Sequence, residues 1–219
     1  MSDVFREVDE EVRHEQWVKL WKAYGHYAIA GVVSVVLVVA GGVGWKEYRT
    51  GRQQAESEQF TAAGELLAAG QPELASQRFA LLADNASTGY GTLARLREAA
   101  ALAAAGNATG AVAVLDRLAV DDDADPVLRE LAALLAVYQL MDSASRDELD
   151  GRLAPLLADG SPWHSSAREL SGVLAARGGE AGRAREIFTA IVEDTTAPQA
   201  VRSRAAGMLA ILDAPSGGG

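Results

Sequence analysis

The sequence predicts an all-α chain: an N-terminal transmembrane helix, then an α-solenoid of about four helix pairs with a C-terminal capping helix. Three observations carry that expectation. Tyr27 to Trp45 is nineteen residues without a formal charge, close to the ~20 apolar residues that cross a ~30 Å hydrocarbon core. Downstream, a small-residue and large-residue register recurs with starts at Gly70, Gly106, Ala144 and Gly179. The remainder is polar enough to be water-soluble and carries apolar residues at helical spacing.

The 219-residue chain carries a net charge of −10 and no cysteine, which excludes disulfides and thiolate chemistry. From Gly51 onward there are 14 Arg, no Lys and 23 Asp plus Glu, a balance of −9. Nucleic acid and anionic headgroups attract through Lys and Arg, so this surface repels both.

Residues 1–24 read as an amphipathic leader helix. Phe5, Val8 and Val12, then Trp17, Leu20, Trp21 and Tyr24, follow i, i+3, i+4 spacing. The face is read either as a docking surface or as a solvated helix that continues the span. A secretory signal has a short basic start and a 7–15-residue apolar core. This leader instead holds six acids (Asp3, Glu7, Asp9, Glu10, Glu11, Glu15) and precedes a longer run, which favours a retained anchor over residues 25–48. Trp17, Trp21, Tyr24 and Tyr27 before the run, with Trp45 and Tyr48 after it, are placed like interfacial belts. Arg6, Arg13, Lys19 and Lys22 against Lys46, Arg49 and Arg52 is a margin of four to three, which leans towards a cytoplasmic leader and leaves the opposite orientation open.

Residues 49–212 form the helical domain. In three copies a glycine is followed by alanine five residues on and a large apolar residue nine on: Gly70, Ala75, Phe79; Gly106, Ala111, Leu115; Gly179, Ala184, Phe188. A weaker copy runs through Ala144, Leu149 and Leu153. The glycine ends one helix in a left-handed cap, the alanine allows close approach, and the large residue fills the gap. A hairpin of this kind cannot bury its apolar face alone, so hairpins stack. The first helices are expected over 59–69, 93–104, 126–141 and 163–176, the last with Ser161 as N-cap and Pro162 at its first position. Residues 198–212 form the cap, and 213–219 a disordered tail.

The Gly–Ala–Phe register resembles that of tetratricopeptide repeats. Gly172, twelve residues before Ala184, stands where that motif places its small first-helix residue, with Ala63 and Ala99 at equivalent positions. No repeat has the usual Trp or the later Tyr. With residues 3–14 and the Trp21 to Gly25 stretch, the whole arrangement also resembles a bacterial single-span family that includes the ancillary subunit of the SecYEG translocon. That resemblance implies an inner-membrane protein with a periplasmic helical domain. Its partners would be translocon subunits, newly translocated chains or periplasmic chaperones. The alternative is a structural accessory subunit of another inner-membrane or envelope complex.

Chemistry has few places to reside. The histidines, at 14, 26 and 164, do not cluster, and Ser165 and Ser166 beside His164 are merely adjacent. No metal, cofactor or enzymatic activity is expected. Asp121, Asp122, Asp123 and Asp125 read either as a calcium or basic-partner site or as a solvated loop whose last aspartate caps the next helix. No P-loop occurs; Asn85 and Asn107 open chance-level glycosylation patterns. Tyr90, Tyr138 and Trp163, with Arg95, Arg129 and Arg168, fall on or beside first helices. They are read either as a partner-binding groove on the concave face or as core and inter-repeat packing.

Overall fold

The computed structural model describes residues 3–86 and 89–214; the side chains of residues 3–20, 23–26, 28–30, 32 and 33 lie outside that description. Nine α-helices are described: α1 (Asp3–Ala68), α2 (Pro72–Asn85), α3 (Tyr90–Ala104), α4 (Ala108–Ala119), α5 (Pro126–Leu140), α6 (Arg146–Leu153), α7 (His164–Arg177), α8 (Ala181–Glu193) and α9 (Gln199–Asp213). A 3₁₀ turn, Ala154–Leu157, follows α6. The chain divides into two compact units, Met1–Ala55 and Glu56–Gly219.

In the first unit Trp21, Tyr27, Val35 to Val39, Trp45 and Tyr48 are exposed on α1. The Trp45 and Tyr48 rings lie 6.1 Å apart. Among the described residues no helix is long and apolar enough to cross a membrane. The amphipathic leader face falls mostly on side chains outside the described residues, as do residues 215–219 of the expected tail and Ser87 of the Asn85 glycosylation pattern.

The second unit is the solenoid, and its hairpins are set by glycines. Gly70, Gly106 and Gly179 have φ of +72°, +77° and +79°, a region that other L-residues reach only at a cost. At each, two backbone bonds close the helix end. Gly70 N donates to Leu67 O and Gln71 N to Leu66 O; Gly106 N donates to Ala103 O and Asn107 N to Leu102 O; Gly179 N donates to Ala176 O and Glu180 N to Ala175 O. This is the Schellman arrangement, which satisfies the orphan carbonyls of the first helix while turning the chain into the second. Asn107 then caps α4, its side chain accepting from Gly110 N at 2.9 Å.

The conformational requirement can be tested directly. A Cβ on Gly106 meets nothing within 4 Å, so Gly106→Ala isolates the cost of a left-handed alanine, about 1 kcal/mol of unfolding free energy. Gly207, inside α9 and equally uncrowded, provides the opposite case. Gly207→Ala should stabilise by about 0.5–1 kcal/mol through helix propensity. Urea unfolding of the two variants should therefore move the midpoint in opposite directions.

Packing follows the repeat. The positions five, nine and twelve residues after each repeat start are Ala75, Phe79, Leu82; Ala111, Leu115, Leu118; Leu149, Leu153, Leu156; and Ala184, Phe188, Ile191. All twelve are at most 2 % exposed. The Phe60 ring meets Phe79 edge-on at 5.4 Å, joining the end of α1 to α2. Val201, Ala205, Met208, Leu209 and Leu212 of α9 cover the apolar side of the last hairpin.

The third hairpin departs from the others. Ala144 stands in the glycine position, and no residue there takes positive φ. The link is a plain turn, with Ser143 N and Ala144 N both donating to Leu140 O, and Ser145 caps α6 by accepting from Glu148 N at 3.3 Å. Pro155 has no N–H to give and crowds the preceding turn. The α-helix therefore stops after eight residues, and the 3₁₀ turn carries Leu156 into the core. The start expected for α7 also moves. Ser161 and Pro162 lie in a turn before the helix, with Trp163 at the N-cap. The Ser161 hydroxyl donates to Glu130 Oε2 at 2.6 Å, and the Trp163 indole donates to Val127 O at 2.9 Å. Ser161 Oγ also accepts from Trp163 N at 3.2 Å, so local and tertiary bonds together fix the entry to α7.

Candidate functional site

The six candidate groove residues lie on α3, α5, α7 or the segments just before them, one repeat after another. Tyr90 opens α3, half-buried, with its ring 5.7 Å from that of Phe60. Arg95 pairs with Asp121 at the end of the same hairpin. Arg129 reaches Asp122 at 2.7 Å. Trp163 packs against the cluster that includes Leu134, Val137 and Leu170. Arg168 lies 3.5 Å from Asp194. Tyr138, 44 % exposed, is the most open of the aromatic three. Burial, and then the charge of Glu169, push its phenol above the ordinary 10.0, with Arg204 opposing.

No hydrogen bond or ion pair joins any two of Arg95, Arg129, Trp163 and Arg168; each holds a neighbouring segment instead. The aspartate run is likewise occupied. Asp121 takes Arg95 and accepts from Asp123 N, Asp122 takes Arg129, and Asp125 caps α5 by accepting from Val127 N at 2.8 Å. Among the described residues no group of three or more His, Asp or Glu is placed to hold a metal ion.

Sequence reading missed a second periodic feature. Arg152 forks onto Asp116 at 2.7 and 3.2 Å, 36 residues away. Arg204 grips both Glu169 oxygens at 2.6 Å, 35 residues away. Arg177 bonds Met141 O at 2.9 Å and the Asp142 carboxylate, and Arg146 bonds Leu174 O at 3.0 Å and Glu180 at 3.2 Å. Apart from the 28-residue Arg146–Leu174 bond, these separations of 34–36 residues are close to the repeat length, and each arginine ties one hairpin to the next. The signal was present in the sequence as acid–arginine pairs one period apart. Guanidinium suits this role because its planar fork can bind a carboxylate and a helix-end carbonyl together.

One of these contacts gives a pH signature. Asp194 accepts from the Thr196 hydroxyl at 2.6 Å and from Thr196 N at 2.9 Å. Those bonds, and Arg168 more weakly, hold its pKa below the ordinary 3.8. A depressed folded pKa contributes stability that is present above the unfolded value and lost as pH falls through the folded one. Asp194→Asn should therefore flatten the loss of stability below about pH 4, measured as the urea midpoint against pH.

With this geometry in view, comparison with known proteins is informative. A family model, the tetratricopeptide repeat-like domain, matches residues 18–206. This chain belongs to the tetratricopeptide repeat-like domain family. The solved structure of nearly identical TPR-like repeats from a Podosopora anserina kinesin-light-chain candidate is similar, as is that of its point variant. Each has a TM-score of 0.52 and covers 71 % of this chain and 84 % of its own, at 15 % and 16 % identity respectively. At that identity the likeness shows the fold alone. No curated protein matches the chain. The tetratricopeptide-like fold is typically a non-enzymatic scaffold for protein partners.

Proposed function

We propose that this tetratricopeptide-like protein is a membrane-tethered interaction module of the bacterial inner membrane, with a cytoplasmic leader and a periplasmic solenoid. There it serves as a scaffold or chaperone-like ancillary factor of the Sec translocon. The observation that carries the reading is the joining of a nineteen-residue uncharged run to a stack of four helical hairpins. The flanking Trp and Tyr residues add support, as does a family match that begins at residue 18, ahead of that run. Tethering supplies the mechanism. Confining a weakly binding surface beside emerging chains raises its effective concentration without high intrinsic affinity.

The test is photocrosslinking in native membranes, with a photoreactive residue in place of Leu37 on the uncharged run and another in place of Tyr138. The expected result is capture of translocon subunits at Leu37 and of varied secreted chains at Tyr138. A single stoichiometric partner at both positions would replace this reading with that of a structural accessory subunit of another envelope complex. Recovery of the chain in the soluble fraction after lysis without detergent would remove the tether.

A further inference from the structure

The acidic surplus of the solenoid is not spread evenly, because at least nine of its arginines are already held in ion pairs with carboxylates. Their positive charge is spent inside the stack. Carboxylates without such partners are what the surface offers to another molecule.

Two of them share a cavity. Between α2, α3 and α4 lies a space of about 350 Å³, lined by Ala80, Ala83 and Val114 and by the charged Asp84, Arg95, Glu98, Arg117 and Asp121. That volume sits at the low end of the roughly 300–1,000 Å³ of ligand pockets. Arg95 and Asp121 cancel each other in their ion pair. Arg117 is exposed, and its Nε donates to Ala113 O of its own helix at 3.3 Å. Asp84 and Glu98 make no hydrogen bond or ion pair with any described residue. Counting Asp84, Glu98 and Asp121 against Arg95 and Arg117 leaves the cavity at −1.

We propose that this cavity is a socket for one basic side chain, an arginine or lysine, of a protein partner. The apolar lining accepts the methylene stem, and Glu98 and Asp84 receive the charged head. Long cationic side chains combine these two demands, an apolar body and a charged tip. Arg117 beside the rim carries the same charge as the guest and opposes it, so the preference rests on Asp84 and Glu98 acting together. Glu98 is poised for such a guest: burial raises its pKa above the ordinary 4.5 and Asp84 adds to the rise, while Arg117 and Arg95 only partly offset it. A cation held between the two acids favours their charged forms and offsets their mutual repulsion. The inference rests on the interaction-module reading and names the chemistry of its partner at one point.

The experiment uses the full chain in detergent and a capped pentapeptide, Ala-Ala-Arg-Ala-Ala, with its citrulline counterpart as an uncharged near-isostere. Binding is followed by two-dimensional amide NMR at low salt. The arginine peptide should shift amides of α2, α3 and α4, and should bind about tenfold or more tightly than the citrulline peptide. Glu98→Gln and Asp84→Asn together should abolish that preference, with far-UV circular dichroism unchanged and thermal stability equal or higher. Equal affinity for the two peptides would overturn the socket, as would an arginine preference that survives both substitutions. The two readings fail separately. Client crosslinking at Tyr138 with no arginine preference sinks the socket alone, and an arginine preference with no client crosslinking sinks the translocon reading alone.

Discussion

Phe188→Ala should lower the unfolding free energy by about 3–5 kcal/mol, the range for removing a fully buried aromatic side chain. Gly172→Ala should cost about 1–3 kcal/mol from the opposite fault, overpacking. The two residues form one contact. A Cβ built on Gly172 would sit 2.8 Å from two ring carbons of Phe188 and 3.2 Å from Ile187 Cγ2. The ring has no exposed surface into which to swing, so α7 and α8 would have to separate. A double-mutant cycle separates this account from a general loss of helix quality. Phe188→Leu removes the ring edge that the new methyl meets, so the pair Gly172→Ala with Phe188→Leu should cost at least about 1 kcal/mol less than the sum of the single changes. Additive costs in chemical denaturation would show that the ring does not set the helix spacing.

The second large effect concerns Glu169 and Arg204. The Glu169 side chain is 9 % exposed and the Arg204 side chain 53 %, so removing one partner does not mirror removing the other. Arg204→Ala leaves a buried carboxylate without its two 2.6 Å bonds. A fully buried pair broken in this way costs about 3–5 kcal/mol, and the open side of Arg204 reduces that to about 2 kcal/mol. Glu169→Gln leaves a half-exposed guanidinium that water can reach, and should cost about 1 kcal/mol. Replacing both, as Glu169→Leu with Arg204→Met, should cost less than Arg204→Ala alone, since no unpaired charge remains. Tyr138 serves as an independent reporter. The Glu169 charge helps to raise its phenol, so the Tyr138 ring carbon should titrate nearer its ordinary value in Glu169→Leu, read by NMR. An unmoved titration would separate Tyr138 from the pair.

Much of the fold was legible because the repeat writes its own requirements into residue type. Only glycine takes φ of +72° to +79° cheaply, so Gly70, Gly106 and Gly179 marked three hairpins. Only a small residue fits under Phe188, which marked Gly172. The third hairpin was fainter because it meets the same geometry by other means: a turn without positive φ, a serine cap and a 3₁₀ turn at Pro155. The start of α7 falls at His164, one residue past the expected 163, and Ser161 Oγ still accepts from Trp163 N at 3.2 Å as the local rule for a helix start implies. A tertiary bond to Glu130, 31 residues away, determines where the hydroxyl goes. The candidate site was the least legible part. Burial and pairing depend on which repeat faces which, and composition does not reveal that Arg95, Arg129 and Arg168 have carboxylate neighbours. A one-repeat acid–arginine spacing marks the Arg152–Asp116 and Arg204–Glu169 ties, not these three pairs, which lie 26, 7 and 26 residues apart.

The short α6 has a consequence for how the domain gives way. Five of its eight residues are charged. Arg152 leaves it for Asp116 in the preceding hairpin, and Arg146 leaves it for Leu174 and Glu180 in the following one. The third hairpin is thus tied sideways by ions in addition to its Leu149, Leu153 and Leu156 core, whereas the first and last hairpins have Phe79 and Phe188 at their centres. Dissolved salt weakens the first kind of cohesion and leaves the second nearly untouched. Ionic strength is then a dial on one element: raising it should quicken hydrogen exchange at the α6 amides while those of α2 and α8 keep their pace, so the stack loosens from its centre before its ends.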